Sequence, residues 1–186
     1  MAFTPPLIYF DNAATSFPKP AIVGRSMAKF MAEGAVSPGR SGFDLGLDLG
    51  LKVDSVRAQL ASLFANPADD TNRTVFTNNA TDAINLAFAG LCQPGDHVIA
   101  TVMDHNAILR PLWMMREQGR ISFDLAPADQ FGFVDPDDIK KLVRTNTRMV
   151  AMTHASNICG AIQPAAEVGA MCRELGIPFM LDVAQT

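Results

Sequence analysis

The sequence predicts an α/β fold, a three-layer, mostly parallel sheet with helices on both faces. Three observations carry that reading. Strand-like apolar runs alternate regularly with segments of helical spacing from residue 72 onward, the pattern of a parallel sheet covered on both sides. Helix punctuation falls at the junctions: Asp135 then Pro136 at one start, Gly176 at one end, as an N-cap, an N1 proline and a helix-closing glycine. No repeat, low-complexity stretch or linker interrupts the alternation, so the chain reads as one body.

In order, "NRTVFT" (72–77) is strand-like and "TDAINLAFAGL" (81–91) helical. "DHVIAT" (96–101) is a strand, and "AILRPLWMMREQG" (107–119) a helix that tolerates Pro111 in its first turn. "ISFDLAP" (121–127) is a strand, and "DPDDIKKLVR" (135–144) a helix capped by Asp135. "TRMVAMTH" (147–154) is a strand, "PAAEVGAMCREL" (164–175) a helix, and "PFMLDV" (178–183) the last strand. Two further helices, over 20–33 and 44–65, precede these elements. Residues 1–66 are therefore expected to form an N-terminal arm, and 67–186 the α/β body.

Composition narrows the function. The 186 residues are 48% hydrophobic and 18% charged with net charge −4, ordinary globular values without the basic face that nucleic-acid binding needs. No apolar stretch approaches membrane-spanning length. The opening "MAFTPPLIYF" lacks the basic region and apolar core of a signal peptide. The three cysteines, Cys92, Cys159 and Cys172, are too few and scattered for a disulfide framework, which fits a reduced, cytoplasmic protein. His97, His105 and His154 lack the short-spaced pair of a zinc site. A dinucleotide fingerprint is also absent, since "LGLDLGLK" spaces its glycines wrongly and precedes the first βα unit.

Candidate chemistry gathers at the strand ends. Asn78, Asn79, Ala80 and Thr81 lie where a strand turns into a helix, and small residues there free backbone N–H groups for a phosphate; Asn79 or Thr81 acting simply as a cap is the alternative. His105 precedes the next helix, where an imidazole can lie on an aromatic ligand, shuttle protons, or merely cap. Asn157 offers a donor and an acceptor to a ligand, or shapes its own loop. Asp182 closes the last strand, where a buried carboxylate requires a cation, either a protonated ring nitrogen or an arginine. Together these groups describe one ligand, an aromatic ring bearing a phosphate, a phenolic oxygen and a basic nitrogen: pyridoxal phosphate.

The same residues carry a family resemblance. "IYFDNAATSFPKP", "SPGRSG", "VFTNNATDAINLA", "MDHNAILRP", "THASNICGAIQP" and "LDVAQT" follow in the order and approximate spacing of class V aminotransferase-fold enzymes, within them the cysteine desulfurase and selenocysteine lyase group. The resemblance implies an incomplete major domain of the fold type I pyridoxal-phosphate transferases. It matches Ala80 and Thr81 to the phosphate-cradling turn and His105 to the ring-stacking, catalytic histidine. It matches Asn157 and Gln185 to contacts near the phenolic oxygen, and Asp182 to the acid at the ring nitrogen. Asn12, Ala13, Ala14 and Thr15, with Arg40 in a nearby loop, match segments bordering the substrate. It also implies removal of sulfur from L-cysteine to give alanine, a homodimer in the full-length enzyme, and a sulfur-acceptor protein.

In that family the chain continues past a segment like "DVAQT" to the lysine that forms a Schiff base with the cofactor. The carboxylate-gripping arginine and the sulfur-accepting cysteine lie further on. The lysines here, Lys19, Lys29, Lys52, Lys140 and Lys141, match none of these positions, and no cysteine matches the acceptor. Cys159 reads as a small packed loop residue, and Cys92 and Cys172 as core. The expectation is the first half of a family member, inactive by itself. The alternatives are another class V enzyme (transaminase, kynureninase-like or epimerase-like) and a non-catalytic truncated chain.

Overall fold

The computed structural model describes residues 8–38, 42–64 and 70–186. Contacts divide the chain into two units, Met1–Phe76 and Thr77–Thr186.

The first unit carries α1 (Ala21–Glu33), α2 (Asp44–Leu63) and a 3-10 turn at Thr71–Arg73. The strand expected over 72–77 does not form. The Asp70 carboxylate accepts the Asn72 N–H at 3.0 Å, which coils the chain where a strand would extend. Residues 74–77 then run without a ladder partner, leaving Val75 and Phe76 exposed. Apolar content alone does not make a strand; a neighbouring strand does.

The second unit is built as expected, on a parallel sheet. In chain order it carries α3 (Ala80–Leu91), β1 (Asp96–Thr101), α4 (Asn106–Glu117), β2 (Ile121–Ala126), α5 (Pro136–Lys141), β3 (Thr147–Thr153), α6 (Ala165–Leu175) and β4 (Phe179–Asp182). The strand order is β2-β1-β3-β4, and every pairing is parallel. β1 and β3 are central and almost wholly buried, whereas β4 is half-buried along its length.

Alternation along the central strands sorts the core into two layers. Val98, Ala100, Met149 and Ala151 face α3 and α4, packing on Ile84, Phe88, Ile108 and Leu112. Ile99, Val150 and Met152 face the other way, packing on Ile139 of α5 and Val168 and Cys172 of α6. The α4 stripe Ala107, Ile108, Pro111, Leu112 and Met115 is the buried face of an amphipathic helix. Because α4 starts at Asn106, Pro111 lies in the second turn and not the first; it leaves one helical carbonyl without its N–H while its ring fills core space.

The caps follow the sequence. The Asp135 side chain accepts the Asp137 N–H at 2.9 Å, and Gly176 ends α6 at φ +66°, the left-handed conformation that glycine adopts without a Cβ penalty.

The topology fixes where a ligand belongs. The chain leaves β1 for β2 on one side, then returns to place β3 and β4 on the other. That reversal makes the gap between β1 and β3 a switch point, and a crevice opens outside the carboxyl ends of strands at such a place.

Candidate cofactor site

Three groups stand at the carboxyl end of this sheet. The first is the N-terminus of α3. Asn79 caps it, accepting the Asp82 N–H at 2.9 Å, so the capping alternative holds for this residue. The remaining first-turn N–H groups, those of Ala80 and Thr81, have no carbonyl one turn earlier in the helix. Both residues lack bulk, and the positive end of the helix is open to an anion.

His105 is the second. It caps α4 through Nδ1, which accepts the Ala107 N–H at 3.1 Å. A ring nitrogen that accepts carries no proton, so the neutral ring bears its hydrogen on Nε2. His105 lines a cavity of about 270 Å³ with Thr81, Asn85, Arg110 and Met114.

The third is Asp182, the last residue of β4. Its Oδ1 accepts the Ala184 N–H at 3.0 Å, and among the described residues its other oxygen is bonded to no donor that would occupy it. The carboxylate is half-buried and not enclosed, because β4 is an edge strand of the described sheet. Asp182 and Ala80 line a second cavity of about 340 Å³ together with Ala83, Ala87 and Met180. The first turn of α3 therefore stands between two hollows, one holding His105 and the other Asp182.

The other expected residues are less gathered. Asn157 is exposed in the turn that follows β3, and Gln185 is exposed beyond β4. Neither lines the two hollows. Nearby, His154 Nδ1 and Thr186 Oγ1 lie 2.9 Å apart. Ala14 and Thr15 belong to the first unit, in a turn closed by the Tyr9 hydroxyl, which donates to the Asp11 and Thr15 carbonyls. Arg40 lies outside the described residues. Lys141 is paired with Asp138 at 2.6 Å.

The cysteines divide. Cys92 and Cys172 are buried, and burial raises both thiols. Cys159, expected to be packed, is exposed. The Ala161 N–H and the Ser156 hydroxyl beside it hold its thiol below the ordinary value.

Asp104 was missed in the sequence. It is 6% exposed and receives two backbone N–H bonds, from Thr101 at 2.6 Å and from Thr153 at 2.5 Å. Burial pushes its carboxyl up to about 6 against those donors, and the nearby Asp182 charge adds to the rise. The available signal was its place, an acid directly after an apolar strand and directly before the capping histidine.

A helix N-terminus, an imidazole and a carboxylate thus stand at the carboxyl ends of the strands of a parallel α/β unit, the end at which such sheets open a crevice. Residues 8–186 match the family Aminotransferase class-V, and the chain belongs to it. This family is pyridoxal-phosphate dependent. The chain is 33% identical over 180 residues to a probable cysteine desulfurase of Methanothermobacter thermautotrophicus, a span that covers 96% of this chain and 44% of that protein. It is 31% identical over 183 residues to cysteine desulfurase IscS of Dictyoglomus turgidum, covering 96% and 45%. Among solved structures, the apo cysteine desulfurase of Thermococcus onnurineus NA1 superposes with TM-score 0.85 at 26% identity, covering 96% of this chain and 44% of the other. Cysteine desulfurase CsdA of Escherichia coli gives 0.76 at 28%, covering 94% and 44%. The chain thus spans less than half the length of the curated relatives it matches.

Proposed function

We propose that this chain is the N-terminal part of a pyridoxal-phosphate enzyme that removes sulfur from L-cysteine, leaving alanine. Residues 1–66 are its N-terminal arm, and 67–186 the first part of its cofactor-binding major domain. The observation that carries the reading is the pair of hollows flanking the first turn of α3, with His105 in one and Asp182 in the other. The likeness to cysteine desulfurases over almost the whole chain supports the choice of reaction within the family.

The groups present fit the cofactor. Its phosphate needs N–H donors at a positive helix end, and the Ala80 and Thr81 amides offer them. A basic ring nitrogen needs a carboxylate, and Asp182 has an oxygen to give. A flat ring needs a face to lie against, and His105 has one. When bound, pyridoxal phosphate supplies the electron sink that loosens bonds at an amino acid's α-carbon. The residues of this chain would do the rest: the α3 amides would hold the phosphate, Asp182 would hold the proton on the ring nitrogen, and His105 would pack against the ring. Asn157 and Gln185 serve the phenolic oxygen in the role the resemblance gives them. The substrate is a small amino acid, and the whole enzyme works in the cytoplasm as a homodimer with a sulfur-acceptor protein. Among the described residues, no helix is long and apolar enough to cross a membrane.

The test is a titration of this chain with pyridoxal phosphate, followed by absorbance and fluorescence. Saturable binding is expected, weakened about tenfold by Asp182→Asn, the scale of one charge-assisted hydrogen bond. L-Cysteine added to the mixture is expected to release no alanine. Absence of saturable binding, or binding indifferent to Asp182→Asn, would overturn the assignment.

A further inference from the structure

The structure assigns to Asp104 the role of a positioning residue: its carboxylate staples the diverging ends of β1 and β3 and thereby sets the spacing between His105 and Asp182. The inference rests on the reading of those two residues given above.

β1 and β3 run side by side but do not stay paired. Their matched residues end at Ile99 and Val150, although the strands continue to Thr101 and Thr153. This is the switch point, where a parallel sheet opens. Opening a sheet strands the backbone N–H groups along the gap, and buried amides without acceptors are costly. Asp104 provides both acceptors from one side chain, Oδ2 to the Thr101 N–H and Oδ1 to the Thr153 N–H.

The staple is wired to both proposed cofactor contacts. On one side Asp104 is joined directly to His105. On the other, Thr153 is the register partner of Asp182, and the next amide, that of His154, donates to the Asp182 carbonyl at 2.8 Å. One carboxylate therefore ties the segment that aims the imidazole to the strand pair that aims the acid. The chemistry selects aspartate. Two N–H groups need two acceptor oxygens, whereas asparagine offers one acceptor and one donor. Burial of the carboxylate works against folding, so a stabilising role and a positioning role make opposite predictions for its replacement.

The experiment compares the full chain with its Asp104→Asn variant in amide hydrogen exchange, thermal unfolding at pH 7 and pyridoxal-phosphate titration. In the unsubstituted chain the Thr101 and Thr153 amides should be slow to exchange. In the variant at least one should exchange about tenfold faster, and the Ala107 amide capped by His105 should follow, one lost hydrogen bond being the relevant scale. Cofactor affinity should fall by a similar factor while the thermal midpoint stays level or rises. Fast exchange at Thr101 and Thr153 in the unsubstituted chain overturns the staple whether or not the variant folds. Unchanged exchange in the variant does the same. Unchanged affinity, or affinity and thermal midpoint falling together, overturns the positioning role. If the unsubstituted chain binds no cofactor, the proposed function is what fails; the Ala107 amide then decides alone whether Asp104 holds His105 in place.

Discussion

Replacing Asp104 by asparagine should change the slope of stability against pH. In the folded chain its carboxyl titrates at about 6, raised from 3.8 by burial. Between those two values the unfolded chain has already lost the proton and the folded chain still holds it. The folded state then binds more protons, so stability falls as pH rises from about 4 to about 6 and levels off above. The gap is worth about 3 kcal/mol at 1.36 kcal/mol per pKa unit. Asparagine does not titrate, so its curve lacks this fall. Its amide turns a donor toward one of the two backbone N–H groups, which lowers the variant by about 1–3 kcal/mol at every pH. That offset moves the curve without tilting it. Asp182, the charge that faces Asp104 and reinforces its shift, repels a carboxylate that only the unsubstituted chain has, so its part lies within that gap. Urea unfolding followed by circular dichroism from pH 4 to pH 7.5 gives both curves. Their difference should change by about 2–3 kcal/mol in the variant's favour, half of it complete near pH 5, between the unfolded and folded values, and level off above pH 6. A difference constant across that range would refute the claim that burial outweighs the two donors.

Two further outcomes test the frame around the site. Leu112, wholly buried on the inner face of α4, should cost about 2–5 kcal/mol when cut to alanine, read from the same unfolding curves; a loss under about 1 kcal/mol would mean that this face collapses onto the vacated space. His97, fully buried at the start of β1, touches Thr147 Oγ1 through Nδ1 and Asp124 Oδ2 through Nε2. Burial first, and Arg144 second, lower it from 6.5, with Asp124 opposing. Its ring should titrate below 6.5 by proton NMR. Because the neutral ring is the folded form, its contribution to stability is present above pH 6.5 and lost as pH falls through the lowered value. A titration at or above 6.5 would reverse that sign.

The sheet of the second unit was legible because its signals are local. β1 is a six-residue run bounded by Gly95 and an acidic turn, and its limits agree with the sequence reading. Asp135–Pro136 and Gly176 announced their helix ends for the same reason: a cap acts within a few residues of itself. "RTVFT" misled because strand formation depends on a neighbour, and a neighbour is not written in the segment. Asp104 was invisible for a related reason. It lies beside a histidine that draws notice, but its partners at Thr101 and Thr153 meet only where two strands separate. The position of Cys159 in the sequence suggests a packed loop residue, whereas the turn after β3 holds it outside the core.

The capping bond of His105 decides which edge of the ring a neighbour can meet. The Nδ1 lone pair is spent on the Ala107 amide, so the ring has one polar contact left to offer, the hydrogen on Nε2. Turning the imidazole about its own bonds would take the acceptor away from a first-turn amide that has none within the helix. The backbone of a helix thus aims a side chain, and the same bond that closes the helix end holds the plane of the ring.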